Sequence, residues 1–183
     1  MGMGFDLQPT LTGQLLRLRP LQASDFPDLF GVASDPLIWE QHPAKDRYQE
    51  PVFKEFFRDA LESRGALIAL DAANGRIIGS SRYCGYNEEG SEVEIGWTFL
   101  ARTYWGGAYN KEMKQLMLGH AFRFVQNVIF LVGLQNQRSQ RALEKIGALR
   151  VGTRPDAARR ESLVYRITAS AWSQAREIGS IKP

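Results

Sequence analysis

Residues 92–110, EVEIGWTFLARTYWGGAYN, restrict what this chain can fold into more than any other stretch. Val93, Ile95, Trp97 and Phe99 put a large apolar side chain at every second position. Glu92, Glu94, Gly96 and Thr98 alternate with them, which predicts a half-buried strand with the two sets on opposite faces. The alternation stops at Arg102, and Gly106-Gly107 opens backbone conformations that a side chain would forbid. From Tyr109 onward the period becomes helical, with Met113, Leu116, Met117, Ala121 and Phe124 on one face. A strand, a glycine turn and a helix N-terminus in succession leave backbone N–H groups unpaired at the positive end of the helix dipole. That arrangement suits a phosphate group.

With 183 residues the chain can bury a core as one domain. Residues 1–13 and 179–183 are expected as flexible tails around a domain of 14–178. Lys and Arg number 23 against 20 Asp and Glu, and a net charge of +3 fits a polyanionic small ligand but not the concentrated basic face of a nucleic-acid binder. Cys84 is the one cysteine, so no internal disulfide can form, which suits the reducing cytoplasm. His42 and His120 stand apart with no Cys/His cluster, so no metal site is expected. No apolar run is long enough for a membrane span, and no signal peptide opens the chain.

Elsewhere the patterning predicts strands over 14–19, 65–70, 76–85, 128–134, 149–153 and 161–167, and helices near 24–33, 48–63, 136–146 and 171–176. Asn74-Gly75 marks a hairpin. Antiparallel hairpins therefore flank one β-α-β unit. The expected fold is α/β: a mixed, mostly antiparallel seven-stranded sheet with helices on both faces, in a single domain.

Four motifs stand in order along 14–173. They are LLRLRPL at 15–21 followed by Asp25, then Glu94 to Trp97 (EIGW), then Tyr104 to Ala108 (YWGGA), and then Asn136, Ser139, Leu143, Glu144, Lys145, Gly147 and Ala148. A strand ending at Tyr165 and a late Trp172 complete the series. The chain thereby resembles the GCN5-related N-acetyltransferase superfamily, in the branch of the bacterial ribosomal-protein N-terminal acetyltransferases. The resemblance implies acetyl-CoA as cofactor, no metal, and an amine acceptor that is a protein N-terminus or a small molecule. It also implies a cofactor site of Phe99, Leu100, Arg102, Trp105, Gly106, Gly107, Ala108, Tyr109, Asn110, Lys111, Asn136 and Ser139. At the family's Arg/Gln position of the turn this chain has Thr103, and Arg102 is the side chain that could partly replace it.

Acetyl transfer to an amine needs a neutral amine, a donor for the oxyanion and a proton for the leaving thiolate. It needs no protein nucleophile, so Cys84 is read as a strand residue. Glu94, on the polar face of the strand before the turn, is the candidate general base, with Glu92 second. Asn136 and Ser139 share the first turn of a helix, where they could contact the cofactor or simply cap. The family often places a tyrosine acid where this chain has Leu143, which leaves Ser139 or water to protonate the thiolate. Trp39, His42, Tyr83 and Trp97 are candidates for the acceptor side. Arg154, Arg159 and Arg160 form a basic loop at that end. The alternative function is a catalytically silent acyl-CoA-binding protein. A homodimer is compatible with the chain.

Overall fold

The computed structural model describes residues 4–179, with the side chains of 178 and 179 left aside. Residues 1–3 and 180–183, which include most of the expected C-terminal tail, lie outside the described residues. The chain runs through β1 (Leu11–Thr12), β2 (Leu16–Pro20), α1 (Phe26–Ala33), α2 (Glu50–Glu62), β3 (Ala66–Asp71), β4 (Ile77–Asn87) and β5 (Glu92–Leu100). It continues through α3 (Ala108–Ala121), β6 (Asn127–Gly133), α4 (Gln137–Lys145), β7 (Leu149–Pro155), β8 (Glu161–Thr168) and α5 (Ala169–Gly179). The eight strands form one sheet in the order β1-β2-β3-β4-β5-β6-β8-β7. Only β5 and β6 pair in parallel, joined by the α3 crossover.

The sheet has one strand more than the seven expected. The extra one, β1, pairs antiparallel with β2 through Leu11↔Leu18 and Thr12↔Arg17. Two residues are too few to display a period in sequence. The stretch expected as an N-terminal tail is docked from Phe5 onward. Phe5 lies within about 5.5 Å of the rings of Tyr83, Tyr86, His120 and Phe124. His120 Nε2 stands 2.7 Å from the Asp6 carbonyl oxygen.

Each sheet face carries its own core. Leu16, Leu18, Val93, Ile95, Met113, Met117, Val128 and Leu143 fill one side beneath α3 and α4. Leu29, Trp39, Phe53, Phe56, Phe57, Ile68 and Phe99 fill the other beneath α1 and α2. Helices therefore cover both faces, as the α/β reading requires. No described helix is long and apolar enough to cross a membrane.

Two features position the functional region. Glu112 on α3 accepts hydrogen bonds from the N–H groups of Gln14, Leu15 and Leu16 at 2.9, 2.8 and 2.9 Å. This clamps the first turns of α3 to the start of β2. The second is a bulge in β5, where Arg82 pairs with Gly96 but Ser80 pairs with Phe99, so Trp97 and Thr98 together oppose Ser81. Trp97 takes φ +52, a left-handed conformation uncommon outside glycine. The bulge corrects the expected alternation. Val93 and Ile95 point into the α3 core, whereas Trp97 and Phe99 pack on the α1/α2 side.

Candidate active site

Before it reaches the bulge, β5 leaves its parallel neighbour. The pairs are Glu92↔Asn127, Val93↔Val128 and Glu94↔Ile129, and pairing stops there although the strands continue to Leu100 and Gly133. The parting strands bound a cleft with a backbone edge free for an extended, amide-bearing ligand. β5 ends at a 3-10 turn over Arg102–Tyr104, and Gly107 is the N-cap of α3 with no side-chain cap and no acidic residue in the first turn. Gly106 takes φ +70. A Cβ built at Gly106 or Gly107 meets no atom within 4 Å. The exposed, uncapped N-terminus fits a phosphate. Trp105 closes the turn from behind, donating its indole N–H to the Leu100 carbonyl at 2.9 Å.

Paired residues on neighbouring strands share a face, so Glu94 and its partner Cys84 lie on the α1/α2 side with Gly96 and Arg82. Among the described residues nothing donates a hydrogen bond to the Glu94 carboxylate, which lies 3.1 Å from where a Gly96 Cβ would stand. Burial raises its pKa to about 7, against the opposing pull of Arg154 and Arg82. Glu92, the second candidate, is instead engaged with Arg154 at 3.5 Å. Burial, and then the Glu94 charge, raise the pKa of the Cys84 thiol, so it is not an activated nucleophile.

The structure brings two arginines to this face that the sequence reading did not single out. Arg82 is 5% exposed, and its guanidinium carbon lies 4.6 Å from the Trp97 ring centroid and 5.6 Å from that of Phe56. Its Nε and Nη2 are buried with no hydrogen-bond partner. Arg47 lies 4.4 Å from the Phe56 centroid and 5.1 Å from that of Trp39. Burial, and then Arg160 and Arg82, lower its pKa to about 10. An arginine in a strand shows no sequence sign of being buried, since strand patterning assigns it to solvent.

The other predicted residues divide. His42 sits at this site, accepting the Ala44 N–H at 2.9 Å on Nδ1, and burial with Arg47 and Arg160 nearby pushes its pKa down to about 3. Trp97 also faces the site. Trp39 is buried, and its indole N–H donates to the Ala33 carbonyl at 2.7 Å. Tyr83 lies on the opposite face, buried in the α3 core, with its hydroxyl donating to the Met117 carbonyl at 2.6 Å. Both are packing residues rather than acceptor contacts, because their polar atoms are already committed inside the core. Asn136 is the buried N-cap of α4, accepting the Ser139 N–H at 3.2 Å. Ser139 is half-buried, and its hydroxyl has no partner among the described residues. Arg102 is ion-paired with Asp35, so it ties the turn to the loop after α1. Lys111 is exposed on the first turn of α3, with Tyr109 and Asn110 half-buried beside it.

That loop reaches across the cleft to α4. Arg138 donates its guanidinium to the Ile38 carbonyl at 2.8 Å and its N–H to Gln41 Oε1 at 3.1 Å, and it stacks 4.0 Å from the Trp105 centroid. Pro43 is 2.6 Å from where a Gly133 Cβ would stand. A recess of about 520 Å³ lies between α1 and residues 101–103, lined in part by Asp28, Val32, Asp35 and Ile38, and does not include Glu94. No group of three or more His, Cys, Asp or Glu that could hold a metal occurs among the described residues.

The comparisons with known proteins agree on one fold. The structure of a GCN5-related N-acetyltransferase from Brucella melitensis superposes with a TM-score of 0.81 at 18% identity, over 93% of this chain and 83% of that one. The acetyltransferase from Agrobacterium tumefaciens str. C58 is 27% identical, with a TM-score of 0.67 over 87% of this chain and 94% of that one. Mycobacterium smegmatis RimJ, solved in complex with CoA-disulfide, gives a TM-score of 0.70 at 18% identity over 93% of this chain and 95% of that one. No curated protein matches the sequence. The model of the acetyltransferase (GNAT) domain matches residues 16–149, and the chain therefore belongs to the GNAT family of acyl-CoA-dependent acetyltransferases.

Proposed function

We propose that the protein transfers an acetyl group from acetyl-CoA to a primary amine in a ternary complex, with Glu94 as general base. One observation carries this reading. A half-buried carboxylate with no hydrogen-bond donor among the described residues, its pKa raised to about 7 by desolvation, sits on the last paired residue before β5 and β6 part. A structural glutamate would be ion-paired or solvated. This one is held poorly solvated beside a cleft, where it can accept a proton at neutral pH.

The uncapped N–H groups from Gly106 to Asn110 are assigned to the pyrophosphate, with Lys111 nearby as a cation. Phe99 and Leu100 border the cleft in which the pantetheine arm would lie. Acetyl-CoA, when bound, supplies an acyl carbon activated as a thioester. Glu94 takes the proton of the incoming ammonium, directly or through a water, so that the amine meets that carbon neutral. Trp97 and His42 line the acceptor side. The unpartnered Ser139 hydroxyl is assigned to the leaving sulfur. Support for acetyl-CoA comes from the family and from the CoA-disulfide held by the RimJ neighbour. The resemblance of the sequence to the ribosomal-protein N-terminal acetyltransferases makes protein N-termini one acceptor class to test, in a cytoplasmic setting.

The test is the Glu94→Gln substitution. Turnover on an amine panel should fall by about 10²–10⁴-fold, while acetyl-CoA affinity measured by calorimetry stays within a factor of about three. Unchanged turnover would remove Glu94 as the base. Absence of acetyl-CoA binding in the unmodified protein would remove the cofactor assignment.

A further inference from the structure

We infer that Arg47 and Arg82 form an anion-binding subsite beside Glu94, and that the acceptor is a small amine carrying a carboxylate, of the amino-acid class. The inference rests on the acetyltransferase reading above and specifies its substrate. Three observations carry it.

The first is the state of Arg82. A guanidinium has five N–H donors in one plane, and leaving them unpaired in a buried place is costly. Arg82 has two dry, unpaired nitrogens and no ion pair with any carboxylate. Trp97 and Phe56 lie within 4.6 and 5.6 Å of the guanidinium carbon. Rings stacked on a guanidinium satisfy its faces and fix its plane, and the enclosed Nε and Nη2 gain partners only when a ligand enters at that edge. A planar carboxylate is the partner that matches such a fork.

The second is the company Arg82 keeps. Arg47 approaches the same Phe56 ring at 4.4 Å, and it too has no ion pair. Arg160, whose charge bears on Arg47, is by contrast already held by Asp156 at 3.0 Å. Arg47 Nη1 reaches His42 Nε2 at 3.5 Å, a neutral partner, so two arginines without a counter-ion share one ring and repel each other, and this arrangement is stabilised when an anion enters between them. The acids whose charges bear on Arg82 are Asp59 and Glu94, and neither is in contact with it. Glu94 is needed as a base rather than as a counter-ion.

The third is spacing. Arg82 pairs with Gly96 and Cys84 with Glu94, so base and guanidinium stem from neighbouring positions on one sheet face. Side chains so related stand roughly 7–8 Å apart at their Cα atoms. An amine delivered to Glu94 therefore has its carboxylate partner within the reach of one small molecule. The loop tied to α4 through Gln41 and Ile38, with Pro43 against Gly133, narrows the far side of the groove and favours a small acceptor over a long chain.

The experiment uses the full-length protein and its Arg82→Met, Arg82→Lys and Arg47→Met variants. Amino acids and their carboxamides are titrated in matched pairs, with binding read by tryptophan fluorescence and transfer by CoA release in the presence of acetyl-CoA. At least one amino acid should bind ten- to a hundredfold more tightly than its amide. That preference should fall to within about threefold in Arg82→Met, weaken in Arg47→Met, and be partly kept in Arg82→Lys. Circular dichroism and thermal unfolding establish that each variant is folded. Equal binding of acid and amide across the panel would overturn the subsite. Preferential binding of a carboxylate without acetylation would leave the subsite standing and overturn the transferase assignment instead.

Discussion

The guanidinium of Arg82 stacks 4.6 Å from the Trp97 ring on the face of the sheet that carries Glu94. Trp97 reaches that position only because it occupies a β-bulge at φ +52. The bulge therefore turns an aromatic ring onto the face that carries Glu94, three residues after the point where β5 and β6 part.

Arg82→Met should be at least as stable as the unmodified protein. Removing a buried charge that has no counter-ion relieves its desolvation, and methionine fills most of the stacked volume. An unpaired buried charge carries a desolvation cost with no Coulombic return, so its removal is expected to be neutral or stabilising. Chemical denaturation measures the difference. A loss of more than about 1 kcal/mol would show that the cation–π stack with Trp97 and Phe56 is structural.

Glu94→Gln should raise stability at pH 8. The folded pKa of about 7 stands above the usual carboxylate value of 4.5, so the native state disfavours the ionised form. That cost is absent below about pH 4.5, grows as the pH rises toward 7, and is complete above it. The amide should therefore be stabilised by on the order of 2 kcal/mol at pH 8, with the advantage vanishing near pH 4. Urea midpoints at the two pH values give the comparison, and an equal effect at both would mean that Glu94 is not held in a poorly solvated site.

Lys114 offers the opposite pH signature. It is buried, its ammonium donates to Thr98 Oγ1 at 2.6 Å, and burial lowers its pKa to about 7. The native state resists protonation, so the penalty appears as pH falls below the ordinary lysine value of 10.5 and is complete below 7. Lys114→Met should accordingly gain stability at pH 7 relative to pH 10. Thr98 keeps its hydrogen bond to Ser81 at 2.8 Å. A gain over the unmodified protein that is no larger at pH 7 than at pH 10 would contradict this.

Gly106→Ala should cost about 1 kcal/mol in stability, because φ +70 disfavours a side chain even where no neighbour is in the way. Acetyl-CoA affinity should fall at least tenfold, since the backbone N–H groups of the cradle would shift. Calorimetry reads the affinity, and full retention would place the phosphates elsewhere.

Much of this arrangement was legible in the sequence. The change of period at Tyr109, the glycines at 106 and 107 and the alternation of Val93 and Ile95 located the strand, turn and helix that build the cofactor side. The alternation failed at Trp97, because a bulge is set by pairing with Ser81 on the next strand and leaves no mark on its own segment. Arg82 and Arg47 were missed for a related reason. Their burial comes from rings contributed by α2, β5 and the loop after α1. Phe5 read as part of a flexible tail because its four aromatic partners lie more than 70 residues away in sequence. Capping accounts for the Asn136 side-chain oxygen, which accepts the Ser139 N–H.

The pH dependence of acetyl transfer in the unmodified protein and in Glu94→Gln tests the central claim most directly. With acetyl-CoA saturating and the best amine of the panel as acceptor, kcat should rise with pH through an inflection near 7, separate from the acceptor amine's own titration. In Glu94→Gln that inflection should disappear together with most of the turnover. The same inflection, or the same turnover, in both proteins would contradict the assignment of Glu94 as the base.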